Sequence, residues 1–202
     1  MLRSCIERIF DPRQESLLKL YEDHKDLFHK NPGSTHIHQN WEGGLADHLV
    51  MMFDMALNQY GIIRGLYARY SGGDWERYPP FSLASANVVI LLHDAEKVIV
   101  YGDKEDPRCK IFIRDLETPH SKVTKESLKW DIINYWQEKY NFQLTDAEIN
   151  AIKYTHGEGE DYRNDQRVMN ELAAFVGNID RTSARIFYDM GKGLGKELNE
   201  TT

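Results

Sequence analysis

An all-α fold is the class this sequence predicts, on three observations. Apolar residues recur at helical spacing along most of the chain. Thr145 and Glu148 in "TDAE" form a capping box at the head of one such run, and Gly157 supplies its stop. The apolar stretch at 82–100 is rich in Val and Ile, which favour strands, but its length and its alanines favour a buried helix.

The elements follow in chain order. Residues 13–30 carry Leu17, Leu20, Tyr21, Leu27 and Phe28 as an apolar stripe that stops before "NPG". The run "GGLADHLVMMFDMALNQYG" places Leu45, Leu49, Met52, Phe53 and Ala56 on one face, with Gly43 and Gly44 at its mouth. Residues 61–81, with "SGGDWERYPP", read as a loop insertion, and 101–119 as a second one holding a short hairpin around "CKIFIRDLE". Helices return at 124–140 and 145–156, and two more are expected between 167 and 190. The tail after Gly191 reads as frayed. The expected organisation is a single domain with its core at about 36–190.

With 202 residues, 41% hydrophobic and 28% charged, the chain is long enough for a real core and ordinary in composition. A net charge of −7 argues against broad, non-specific binding to duplex nucleic acid, which wants a basic face, and leaves room for a local basic pocket for one phosphorylated small molecule. Two cysteines, Cys5 and Cys109, imply no disulfide framework and a reducing compartment. The charged start "MLRSCIERIFDPRQ" has no signal-peptide core, and no stretch reaches the roughly 20 apolar residues of a membrane span. A cytoplasmic protein is the expectation.

The chemistry lies in the polar residues that interrupt apolar stripes. His48 follows Leu45 by three residues and precedes Met52 by four, so it shares their face. His93 and Asp94 end the run "VVILL". His156 follows Ile152 by four residues, and Asp180 follows Val176 by four. Taken singly, an inward histidine is more often a hydrogen-bonded core residue than a ligand. Three histidines and two aspartates aimed at one core have few partners other than a metal. Imidazole with carboxylate suits Mn, Fe, Co, Ni or Zn.

The order of these groups and their surroundings resemble the HD-domain superfamily of metal-dependent phosphohydrolases. "HQNWEGGLADHL", "LLHDAEKV", "AIKYTHG" and "VGNIDRTSA" carry the resemblance, which covers residues 39–184. It implies an HD-type helical bundle in which His48, His93, Asp94 and Asp180 bind one divalent ion, manganese being favoured. It also implies that Asp94 acts on the attacking water and can bridge to a second ion, and that Lys97 lies near substrate phosphate. His120 and His156 match the extra histidines of two-metal members or a phosphate contact. Three departures stand out: Gln39 in place of a second histidine, Glu96 in place of a small residue before Lys97, and a shifted spacing around His120.

The substrate class implied is a small phosphorylated molecule of nucleotide type, with His38, Gln39, Arg108 and Lys110 as candidate contacts. No Gly-rich phosphate loop occurs, which argues against an ATP-driven motor or kinase. Two other classes satisfy the same residues: a non-catalytic metal- or nucleotide-binding regulatory module, and a di-iron oxygenase of the same fold. Assembly into a homo-oligomer stays open. His24 and His29, among Asp and Lys on the first long helix, read as surface groups.

Overall fold

The computed structural model describes residues 1–35, 38–74, 78–113 and 124–196. Among them there are helices and turns but no strand, as an all-α class requires. Among the described residues no helix is long and apolar enough to cross a membrane. The chain sorts into two compact units. The first comprises residues up to Val50, Asp94–Gln143, and the chain from Tyr188 on; the second comprises Met51–His93 and Leu144–Phe187.

In the first unit, α1 (Leu2–Ile6) packs on α2 (Gln14–Lys30). α2 buries Leu17, Leu20, Tyr21, His24, Leu27 and Phe28, a stripe at the helical spacing of three and four. α3 (Gly44–Tyr70) contributes its first turns here. α5 (Ala95–Val100), α6 (Pro107–Ile113) and α7 (Lys125–Tyr140) pack on one another, and α7 and α5 also pack on α2. Thr124 and Ser127 close a capping box at the head of α7, and Asn141, at φ 53°, ends it in the left-handed conformation.

His24 is buried, not a surface group, because it falls on the α2 stripe among the leucines. Its Nδ1 donates to the Leu20 carbonyl (2.9 Å), and its ring meets the edges of Trp136 (5.2 Å) and Tyr140 (6.1 Å). Burial, with Lys139 and Arg108 nearby, holds the imidazole below its usual 6.5. The folded state therefore keeps His24 neutral while the unfolded chain takes up a proton below about pH 6.5. Stability contributed by this group is present above that pH and falls as the pH drops. Urea unfolding of His24→Phe should show a shallower loss between pH 7 and 5, by up to about 1.4 kcal/mol per pH unit. Parallel profiles for the two proteins would remove His24 as the source.

Where a loop with a short hairpin around "CKIFIRDLE" was expected, the described part up to Ile113 is α6. Asp106 accepts from the Arg108 amide (2.8 Å), and Pro107 takes the first helical position, where a missing N–H costs nothing. Residues 114–123 lie outside the described residues.

In the second unit, α3 continues without a break to Tyr70, so the expected loop begins ten residues late. Gly61 and Gly65 do not end the helix, since an interior glycine weakens it by only about 1 kcal/mol. α4 (Leu83–Leu92) is capped by the Ser82 side chain, which accepts from the Ser85 amide (3.0 Å). α8 (Asp146–Tyr154) starts on the Thr145–Glu148 capping box. α9 (Glu171–Arg185) starts on Asn170 and is one helix where two were expected. α4 packs on α8 and α9, and α8 packs on α9. Gly177 of α9 lies so close to the Thr155 carbonyl oxygen that a Cβ has no room. Tyr60, Phe81 and Phe175 form an aromatic cluster with centroids 5.2 to 6.2 Å apart.

Candidate metal centre

The segment 82–100 is two helices, not one. α4 ends at Leu92, His93 caps it with φ −61°, and Asp94 turns the chain at φ −111°, ψ 29° to open α5. In an unbroken helix two consecutive side chains point about 100° apart. The break lets both His93 (0% exposed) and Asp94 (3%) be buried.

In the second unit, His93 Nδ1 donates to the Ile90 carbonyl (2.8 Å). A carbonyl can only accept, so the proton sits on Nδ1 and the Nε2 lone pair is directed elsewhere. Nε2 lies 3.9 Å from Oδ1 of Asp180, on α9. The other Asp180 oxygen lies 3.7 Å from Nε2 of His156. Ligand atoms of His93 and His156 come within 4.8 Å of each other, and their rings are 6.0 Å apart. Two imidazoles and a carboxylate thus converge within this one unit. His156 is not on the buried side as expected: its side chain is 53% exposed, because α8 ends at Tyr154 and His156 follows the cap.

In the first unit, His48 (1% exposed) projects from α3 with Nε2 3.7 Å from Oδ2 of Asp94. Lys97 Nζ donates to that same oxygen at 2.7 Å, one turn along α5. Asn31 holds this helix from behind, its amide donating to the carbonyls of Lys97 (3.0 Å) and Val98 (2.8 Å). The His38 ring is 6.3 Å from that of His48.

Separations of 3.7 and 3.9 Å are too long for hydrogen bonds. They fit two donors each about 2.1 Å from a common ion. Buried histidine and aspartate in these positions could hold a metal ion. His24 gives the contrast. It has the same Nδ1 tie to a carbonyl but faces aromatic edges, not a carboxylate.

Glu96, the departure noted in the sequence, is largely buried, with Oε2 out of solvent and without a hydrogen-bond partner among the described residues. Burial pushes its carboxyl up and the neighbouring Asp94 pushes it further.

The remaining candidates are dispersed. Gln39 is fully buried at φ 51°, its backbone carbonyl accepting from the Gly33 amide (3.0 Å) and its amide donating to the Tyr188 carbonyl (3.3 Å). Arg108 clasps its own chain: both terminal nitrogens reach the Asp26 carboxylate (2.7 and 2.8 Å), and Asp106 takes the rest of the guanidinium. That guanidinium holds the Asp106 carboxyl down at about 2. Lys110 pairs with Glu105 (3.0 Å) on the surface. His120 lies outside the described residues.

Sequence reasoning missed two buried polar residues of the first unit. Asn31 acts on backbone carbonyls, which leave no trace in a side-chain pattern. Asp47, next to His48 and 3% exposed, was legible as a carboxylate inside an apolar run. Compared with known proteins, the chain matches no protein-family model, no curated protein and no solved structure.

Proposed function

We propose that the chain is a metal-dependent phosphohydrolase acting on a phosphate ester or anhydride of a nucleotide-type substrate. The reading carries the resemblance of the sequence to HD-domain phosphohydrolases. Its structural support is the burial of two histidines and two aspartates, with donor atoms 3.7 to 3.9 Å apart within each unit. His48 and Asp94 supply donors in the first unit, and His93 and Asp180 in the second. His156 adds a donor beside Asp180, at a position open to solvent and to a second ion.

A divalent ion supplies Lewis acidity toward a phosphoryl oxygen and toward water. The side chains do the remainder. Asp94 accepts a proton from, or orients, the attacking water through an oxygen whose charge Lys97 steadies. Lys97 shifts from Asp94 toward the phosphoryl group as negative charge develops there. Burial of His93 and Asp94 keeps bulk water from competing.

The test is product release from mono-, di-, tri- and cyclic nucleotides in the presence of Mn²⁺, with Asp94→Ala beside the parent protein. Turnover of one class, lost in the variant, is the expected result. Metal-bearing protein that hydrolyses none of them would sink the proposal, and oxygen consumption by iron-loaded protein would put the oxygenase in its place.

A further inference from the structure

A second site lies in the first unit, apart from the ligands just described. A cavity of about 520 Å³ is lined by His29, Trp41, Glu42, Asp47, Lys192 and Lys196. That volume is in the range of small-molecule pockets, roughly 300–1,000 Å³.

Residues 192–196, the start of the tail expected to fray, help to build it. Asp47, buried on α3, accepts from the Trp41 indole N–H (2.8 Å) and from the amides of Gly193 (2.7 Å) and Gly195 (2.5 Å). Three donors stabilise this carboxylate, leaving it little demand for a cation. Glycine is required at both tail positions. Gly193 sits at φ +92°, and a Cβ on Gly195 would stand 2.6 Å from that of Ala46. The strap "GKGLGK" is thereby fixed, and it carries Lys192 and Lys196 to the cavity wall. Neither lysine has an ion-pair partner among the described residues; the acidic groups at the wall are the exposed Glu42 and Asp47, whose carboxylate is already held by three hydrogen bonds. The bond from its N–H to Asp47 sets the plane of the Trp41 indole, and Tyr21 Oη holds the His29 ring at 2.8 Å.

We infer that this cavity binds a small organic anion in which a phosphate is attached to a planar ring, the chemistry of a nucleoside monophosphate. The phosphate sits between Lys192 and Lys196, and the ring lies against the indole of Trp41. The helix amino terminus is not the anchor, because the Gly43, Gly44 and Leu45 amides already donate to the Lys30, Trp41 and Asn31 carbonyls.

Titration calorimetry on the full chain, stripped of metal with chelator, separates this site from the metal centre. AMP is expected to bind one to one, and more tightly than inorganic phosphate or adenosine. Lys192→Glu with Lys196→Glu should weaken AMP by at least about a hundredfold, at roughly tenfold per lost charged contact. Both lysines are exposed, so an unchanged melting temperature is expected. Asp94→Ala should leave AMP affinity as it was. Loss of binding in Asp94→Ala but not in the lysine variant would place the nucleotide at the metal centre and overturn the inference. So would an absence of AMP binding at millimolar concentration. Equal affinity for phosphate and AMP would overturn the part given to Trp41.

Discussion

His93→Ala is expected to leave the protein without bound divalent metal and without hydrolytic turnover, while its helical content stays. The Ile90 carbonyl fixes the imidazole at Nδ1 and aims Nε2 toward Asp180, a placement no neighbouring side chain reproduces. Losing a group that merely orients a ligand costs about 10- to 100-fold in metal affinity or activity, and losing the ligand itself should exceed that. Elemental analysis after dialysis against Mn²⁺, with turnover on the preferred nucleotide, reads both effects. Asp180→Asn repeats the test without opening a void, since it keeps the shape and removes the charge. Parent-like metal content in both variants would show that these two residues do not hold an ion.

Gly177→Val should destabilise the protein and lower metal content together. Propensity alone points the other way, because replacing an interior helix glycine with alanine gains about 1 kcal/mol. Packing opposes it. Any Cβ at position 177 meets the Thr155 carbonyl oxygen, a backbone atom that can yield only if the end of α8 moves. Overpacking of this kind costs about 1–3 kcal/mol, and valine brings two further methyl groups. Thr155 precedes His156, so the movement also widens the 3.7 Å approach of His156 to Asp180. Gly177→Ala is the sign test. A urea midpoint at or above that of the parent would mean that α8 and α9 are not in the close contact described.

How much of this was legible in the sequence depended on whether the signal was local. The α2 stripe, the capping boxes and the inward positions of His48 and Asp180 follow from spacing along one helix, and the burial of His93 from its place at the end of "VVILL". His24 was legible too, since it continues the Leu17–Leu20–Tyr21 stripe, but its charged neighbours drew it to the surface reading. His156 failed for a different reason: its spacing from Ile152 counts only while the helix continues, and α8 stops first. The hairpin around Cys109 lost to the helix start at Asp106–Pro107. The clasp of Arg108 on Asp26 and the anchorage of the tail on Asp47 join residues 82 and about 150 positions apart, and no periodicity reports such pairs.

α4 raises a question of rotational setting. Ala86 to Leu92 are all buried, Asn87 among them, so this helix has almost no wet side by which burial could choose its orientation. Turning it by one residue, about 100° and 1.5 Å, would exchange one aliphatic group for another at little cost. Its polar ends break that degeneracy. Ser82 fixes one end through its cap, and His93 and Asp94 fix the other, where a slip would carry an imidazole into hydrocarbon and away from Asp180. The residues proposed to hold the metal therefore act as punctuation for the core: without them "VVILL" says that a helix is buried, but not which way it faces.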